Sequence, residues 1–293
     1  MGLRIRTNVS ALSAQRFAQQ NSADMNKSLE RLSSGYRINQ ASDDAAGLAV
    51  SESTKAKVRG LNQAKRNAND AVSMVQIAEG SLSEMSNILV RLRELTVQSS
   101  SDTVGDTERG YLNREYTQLV DEIDRINKTT EFNSLKLFDE NAEDTLTVQV
   151  GVNHSSPEEN QDTLSVSLEG LKTLTSEGLG LGKGAEIGPT ELDGSDAIDR
   201  DSIAEKLTNI DGAINRIVSE RATLGSVQSR LDKAFSNLSI QTENLESANS
   251  RIRDVDYAQE TSDLAKSRVL QSSSISVLAQ ANATPEVALQ LLR

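Results

Sequence analysis

A glycine-rich segment, GLGKGA at Gly180–Ala185, is the stretch of this sequence that most resembles a chemical site. Glycines in such loops let the backbone approach a nucleotide phosphate. A P-loop, however, requires Ser or Thr directly after its lysine, and a dinucleotide loop requires a strand before it and a helix after it. Lys183 is followed by glycine, and no strand–helix pattern flanks the segment. The sequence therefore predicts no nucleotide site here.

Metal binding or acid–base catalysis would have to use the single histidine, His154, or the adjacent carboxylates of Asp43 and Asp44. His154 lies in a polar turn without nearby partners, so we expect it to be a solvated loop residue. The aspartates precede an apolar helical pattern. We expect Ser42 or Asp43 to cap that helix and Asp44 to add negative charge at the positive end of its dipole. The chain also lacks cysteine, and we predict no enzyme, no metal and no cofactor.

Composition and charge restrict the possible partners further. The chain has 293 residues and a net charge of −12, and 36% of its residues are hydrophobic but only 3% aromatic. Such composition suits long helices better than a compact enzyme. The acidic charge argues against nucleic acid, because phosphate binding needs clustered Lys and Arg. No stretch approaches the roughly 18 apolar residues of a membrane span, and no secretory signal pattern is present. These features alone favour a cytoplasmic protein without membrane insertion.

Two long heptad-like patterns predict the main structural elements. The earlier one begins at about Asp43 and continues to about Ser99, and a shorter helix is expected from about Thr107 to Thr129. The later one extends from about Ser202 to Asp256. Its apolar seam has 4–3 spacing, but polar residues interrupt it, which favours a helical bundle over a two-stranded zipper. The predicted seam comprises Ile203, Leu207, Ile210, Ile214, Ile217, Leu224, Leu231, Phe235, Leu238, Leu245 and Ile252.

The middle of the chain changes character. Between Asp144 and Gly170 apolar residues alternate with polar ones in TLTVQV and TLSVSL, which predicts a small β-hairpin. The glycine-rich residues 176–199 that follow lack an apolar period, and we expect a variable exposed loop there. The fold class predicted is mainly α, an antiparallel bundle or coiled coil of long helices with a small β-hairpin region.

The last eighteen residues, SVLAQANATPEVALQLLR, pose a physical problem. Burying each large apolar side chain would contribute roughly 1.5–3 kcal/mol, so leaving all of them in water forgoes on the order of 10 kcal/mol. We therefore expect this tail to pack against a partner. The residues concerned are Val277, Leu278, Val287, Leu289, Leu291 and Leu292.

Five segments of the sequence carry a family resemblance: SLERLSSGYRINQASDDAAGLAV, NDAVSMVQIAEGSLSEM, LVRLRELTVQSS, EIDRINKTTEFNSLKLF and the tail SVLAQANATPEVALQLLR. Together they resemble bacterial flagellin. The resemblance covers roughly residues 1–140 and 200–293, in order and with the expected spacing. The short middle departs from larger members of the family, whose outer variable domains would be missing here.

The resemblance implies that the partner of the tail is another copy of the same chain. In flagellins the two chain ends pair as α-helices and pack on the ends of neighbouring subunits, and such heterologous contacts generate a helical fibre. The implied organisation is a terminal assembly domain from residues 1–42 and 256–293, a helical bundle with the β-hairpin from 43–175 and 200–255, and the loop 176–199. We expect the ends to be disordered in the free monomer, because a short helix pair cannot offset its ordering entropy alone.

Further partners follow from the resemblance alone. A flagellin is secreted without a cleavable signal through a type III export apparatus, assisted by an export chaperone, and meets hook-junction and filament-cap proteins in the extracellular filament. In this family the RLREL segment also lies on the surface that Toll-like innate-immune receptors recognise. The matching residues here are Arg91, Leu95 and Glu115, which we expect primarily to make subunit contacts.

Two alternatives remain open at this stage. A hook–filament junction protein resembles flagellin at its ends but diverges in the middle of the long helices, and the extended matches favour flagellin. An intracellular coiled-coil adaptor would also satisfy the heptads alone.

Overall fold

Long helices dominate the computed structural model of the chain. The structure describes residues 7–139, 143–153, 162–182, 187–188 and 200–290. The elements in chain order are helix α1 (Val9–Ser34), α2 (Ala45–Ser99), α3 (Asp106–Thr129), strands β1 (Glu131–Phe132), β2 (Leu135–Lys136), β3 (Thr145–Gln149) and β4 (Thr163–Ser167), then α4 (Glu169–Lys172), α5 (Arg200–Arg253) and α6 (Tyr257–Gln290). The predicted mainly α fold is confirmed.

The chain divides into two compact units. The terminal unit consists of Met1–Val58 and Glu243–Arg293, and the bundle unit consists of Arg59–Thr242. Helices α2 and α5 each contribute residues to both units. The boundaries between the units therefore fall within continuous helices rather than in loops.

The core of the bundle unit lies between α2, α3 and α5. Helices α2 and α5 are antiparallel: Arg93 lies 2.7 Å from Asp211, and the Lys65 ammonium lies 5.4 Å from the Phe235 ring centroid. The buried positions recur at the spacing of one helical face, which explains why three helices can share one core. They include Val75, Leu82, Leu89, Leu92 and Leu95 of α2, Tyr116 and Ile123 of α3, and Ile210, Ile217, Leu224 and Leu231 of α5.

One member of the predicted α5 seam was placed wrongly. Leu231 is 0% exposed, whereas Phe235 is 39% exposed and lies beside Lys65 at the surface. The seam passes from Leu231 directly to Leu238, which is buried. A seven-residue step of this kind follows the core face of the helix, and the aromatic ring at the intermediate position lies at its edge.

The predicted β-hairpin is confirmed. Strands β3 and β4 are antiparallel, with Leu146 opposite Val166 and Val148 opposite Leu164. Leu164 and Val166 are buried in the core of the bundle unit, as the two-residue alternation requires. The sequence analysis missed the shorter β1–β2 pair, whose turn residues Asn133 and Ser134 both have positive φ.

The exposure expected for residues 176–199 is wrong for the residues of this stretch that the structure describes. Leu179, Leu181 and Ile187 are buried in the same core as the helices. Polar contacts hold the segment in place. The Asp124 carboxylate accepts hydrogen bonds from the Ser176 amide and hydroxyl, and Asn113 accepts one from the Ile187 amide. Apolar residues without a regular period were here mistaken for a solvated loop.

The start of α2 also differs from the prediction in detail. The side chain of Asp44, rather than that of Ser42 or Asp43, caps the helix by accepting a hydrogen bond from the Gly47 amide at 2.9 Å. The Asp43 carboxylate instead accepts hydrogen bonds from the backbone amides of Asn39 and Gln40, and it forms a 2.7 Å ion pair with Lys27. Asp43 thus fixes the loop between α1 and α2.

A charge at the buried seam should unfold the bundle unit. We predict that Leu231→Asp lowers the free energy of unfolding by about 3 kcal/mol or more, because it removes apolar burial and buries an unpaired carboxylate. The matched variant Phe235→Asp should cost about 1 kcal/mol, since that side chain is partly solvated. Circular dichroism melting of both variants measures the difference. Equal losses would mean that the two positions share the same environment.

The contacts of Asp43 predict a pH dependence. The hydrogen bond from Lys27, and further ones from the Gln40 and Asn39 amides, lower the pKa of this carboxyl below its usual value. A depressed pKa in the folded state stabilises the fold above the unfolded-state pKa, and this stabilisation is lost as pH falls through the folded-state value. Asp43→Asn should therefore lower the melting temperature at neutral pH. The difference from the unsubstituted chain should shrink as pH falls through the lowered folded-state pKa of Asp43. A difference that persists in acid would exclude the ionised carboxylate as its cause.

Candidate interaction surfaces

The side chains considered above for catalysis or metal binding are not brought together into a reaction site in the described part of the chain. No group of three or more His, Asp or Glu residues that could hold a metal ion occurs there. His154 and Lys183–Ala185 lie outside the described residues. Among the helices of the described chain, none combines the length and apolarity that a membrane crossing requires. The candidate site of this protein is therefore a set of surfaces.

The terminal unit contains an antiparallel pair of helices, α1 and α6. Asn8 begins the pairing, because its side chain caps α1 through the Ala11 amide and donates to the Ala281 carbonyl at 2.7 Å. Further along, Asn21 donates to the Ser274 hydroxyl at 2.8 Å, and Gln271 donates to the Ser22 hydroxyl at 3.1 Å. The pair also encloses apolar side chains, since Ala14 and Ala281 are buried and Leu32 and Leu264 are partly buried.

Large apolar side chains of the same two helices lie on the outside of the pair. Val277 of the predicted tail is 56% exposed and Leu278 is partly buried. The side chains of Val287 and Leu289, and all of Leu291 and Leu292, lie outside the described residues. The other exposed apolar residues of α1 and α6 are Val9, Leu12, Phe17, Leu29, Tyr257, Val269, Leu270 and Ile275. Exposed apolar patches of this kind mark interaction sites.

Individual apolar assembly residues were predicted only for the tail, and α1 has exposed apolar residues as well. Val9 and Phe17 are exposed near the start of the chain, as Val277 is near its end. The signal was present in the sequence, because Val9, Leu12 and Phe17 are large apolar residues close together in the first turns of a helical stretch.

Two short extended segments connect the C-terminal end of α1 to the residues just before α6. Gly35 ends α1 in the left-handed conformation, with φ of 76°, and its carbonyl accepts from the Val255 amide at 3.0 Å. The Arg37 amide donates to the Arg253 carbonyl at 2.6 Å. The Arg253 guanidinium lies 4.6 Å from the Tyr36 ring centroid, which adds a cation–π contact. This junction sets the register of the helix pair within one chain.

A charged cluster on the bundle unit contains two of the predicted recognition residues. The Arg91 guanidinium donates to Glu115 at 2.8 and 2.9 Å and to Glu94 at 2.9 Å, and these contacts raise the pKa of Arg91. The cluster is open to solvent, so its net contribution to stability is small. Leu95 differs from the prediction, because it is 0% exposed in the core and presents no side-chain surface to a partner.

Comparison with known proteins identifies the family of the chain that carries these surfaces. Residues 5–143 match the bacterial flagellin N-terminal helical region, and residues 207–292 match the bacterial flagellin C-terminal helical region. A flagellin of Halalkalibacterium halodurans is 41% identical over 289 residues, covering 99% of each chain. The chain belongs to the bacterial flagellin family. It is also 40% identical to a flagellin of Bacillus subtilis, covering 99% of this chain and 100% of the relative.

The name of a third relative describes a component of the flagellar filament. The flagellar filament 33 kDa core protein of Treponema phagedenis is 38% identical, with 99% of each chain covered. This flagellin is accordingly a structural subunit that polymerises into the extracellular flagellar filament, and it is not an enzyme. The agreement in length with these relatives fits a short form without large outer domains. The hook–filament junction and intracellular adaptor alternatives are disfavoured.

Proposed function

We propose that the exposed apolar face of the α1–α6 pair is the surface through which copies of this flagellin assemble. The observation that carries the proposal is the set of large apolar side chains that α1 and α6 leave exposed on the outside of the pair. Its internal contacts include the hydrogen bond from Asn21 to Ser274, whereas Phe17, Val269 and Val277 lie in solvent. Burial of each such side chain by a neighbouring copy would contribute roughly 1.5–3 kcal/mol.

The contact between copies is heterologous. A chain that presents one apolar face and receives another repeats the contact without closing a ring, and a helical filament results. We assign residues 1–42 and 256–293 to this assembly domain, which would line the inside of the filament. Residues 43–175 and 200–255 would form the outer bundle. The disorder of the ends in the free monomer remains a prediction, which rests on the ordering entropy that a short helix pair cannot offset alone.

Further partners rest on the family resemblance. We propose export through a type III apparatus with the help of an export chaperone, followed by contact with hook-junction and filament-cap proteins at the two ends of the filament. For recognition by a Toll-like receptor, the supporting features are the exposed guanidinium of Arg91 and the carboxylate of Glu115.

Deletion of Ser276–Arg293 should separate assembly from folding. We predict that the truncated chain forms no filaments, because the deletion removes Val277, which is 56% exposed in the single chain, and the apolar tail that follows it. The melting transition of the bundle unit should be unchanged, since its core is complete within Arg59–Thr242. Electron microscopy and sedimentation measure polymer, and circular dichroism measures the fold. Normal filaments from the truncated chain would contradict the proposal.

Arg91→Ala should weaken activation of a Toll-like receptor by the soluble monomer while leaving the fold intact. An exposed arginine contributes to a partner mainly by charge-assisted hydrogen bonds, and truncating such a contact typically costs about tenfold or more in potency. A reporter-cell dose response checks this, with Arg93→Ala on the same helix as the matched control. A receptor that responds equally to both variants and to the unsubstituted chain would exclude the assignment.

A further inference from the structure

A groove on the bundle unit lies between helices α2 and α3. Its volume is about 570 Å³, and its floor contains Ile77, Ile88 and Ile126. Ile77 is 42% exposed, although it lies next to a well-packed core. The groove belongs to neither the helix pair of the terminal unit nor the Arg91 cluster.

Acidic side chains surround this apolar floor. Glu84 and Glu131 line the groove, are exposed, and form no ion pair within the described part of the chain. Glu122 also lines it but is paired with Arg125 at 2.6 Å. The groove thus combines apolar surface with two uncompensated carboxylates, which a basic and apolar surface would complement.

A surface of that complementary character exists on α5 of the same unit. Arg230, Lys233 and Ile240 are exposed, and Ile240 is 61% exposed. At 3.6 residues per turn Lys233 and Ile240 lie opposite the buried residues Leu231 and Leu238, and Arg230 lies at the edge of the same outer side. Neither cation forms an ion pair within the described residues. We call this surface, defined by Arg230, Lys233 and Ile240, the α5 outer face.

We propose that the α2–α3 groove of one copy receives the α5 outer face of a second copy. This inference rests on the proposed function, because it supplies a contact between bundle units in addition to the contact between the helix ends. In this arrangement Lys233 and Arg230 compensate Glu84 and Glu131, and Ile240 covers the apolar floor. Net charge makes such pairing important, since copies that each carry a charge of −12 repel one another elsewhere on their surfaces.

The dimensions of the two surfaces agree. Along α2 the groove extends from Ile77 to Ile88, which corresponds to about 16 Å at the helical rise. Along α5 the outer face extends from Arg230 to Ile240, which corresponds to about 15 Å. A contact of one helix face in a groove between two helices is a recurrent mode of recognition. Because groove and face differ, the contact is heterologous and compatible with an open helical array.

Charge exchange tests the pairing with the full-length chain. The variants are Glu84→Lys, Lys233→Glu, the combination of both in one chain, and an equimolar mixture of the two single variants. Asp121→Lys is the matched control, because it reverses an exposed carboxylate of α3 that does not line the groove. Polymerisation is measured by sedimentation at about 0.15 M ionic strength, where charge pairs are only partly screened. Circular dichroism of each monomer establishes that the fold is retained.

Each single variant should raise the critical concentration for polymerisation by at least about tenfold, because every contact then opposes like charges. The combined variant should return to within about threefold of the unsubstituted chain, and so should the mixture, whose copies can alternate. Asp121→Lys should have no effect.

Two results would overturn this inference alone: single variants that polymerise normally, or single variants that fail without rescue by the combination or the mixture. A failure of the unsubstituted chain to polymerise would overturn the proposed function and this inference with it.

Discussion

The terminal helices of this flagellin carry apolar surface that the chain cannot cover by itself. Helices α1 and α6 contact each other through small apolar residues such as Ala14 and Ala281 and through hydrogen bonds such as that from Asn21 to Ser274. Their large apolar side chains, Phe17 and Val269 among them, lie in solvent. The favourable burial of these side chains is therefore available only in an assembly. This constraint explains why the terminal unit serves assembly while the bundle unit provides a stable fold.

The bundle unit meets the opposite requirement, since it must be stable before any contact with other copies. Leu82, Leu92 and Ile217 are fully buried, and the segment around Ile187 closes one side of the same core. Helices α2 and α5 continue from this core into the terminal unit. Each long helix therefore connects the bundle unit, which has its own core, to the terminal unit, whose apolar residues remain exposed in the single chain. The junction of Gly35 with Val255 keeps the two chain ends in register.

The sequence was informative wherever periodicity decided the structure. The helical spacing of Leu82, Leu89 and Leu92 and the alternation in TLTVQV and TLSVSL predicted elements that the structure contains. Prediction failed where contacts between distant residues decided burial. Ile187 is buried because Asn113 and Ser99 bind its backbone, which no local pattern could show. The predicted recognition residues were carried over by resemblance alone, which could not reveal that Leu95 lies inside the core.

Hydrogen exchange of the backbone amides, compared between free monomer and filament, tests the central claim most directly. The account predicts that in the monomer the amides from Val269 to Val277 exchange rapidly while those around Leu231 are strongly protected. In the filament both groups should be protected, because neighbouring copies then cover α6. Equal and strong protection of both groups in the monomer would contradict the account, since the apolar face of the ends would then be covered within one chain.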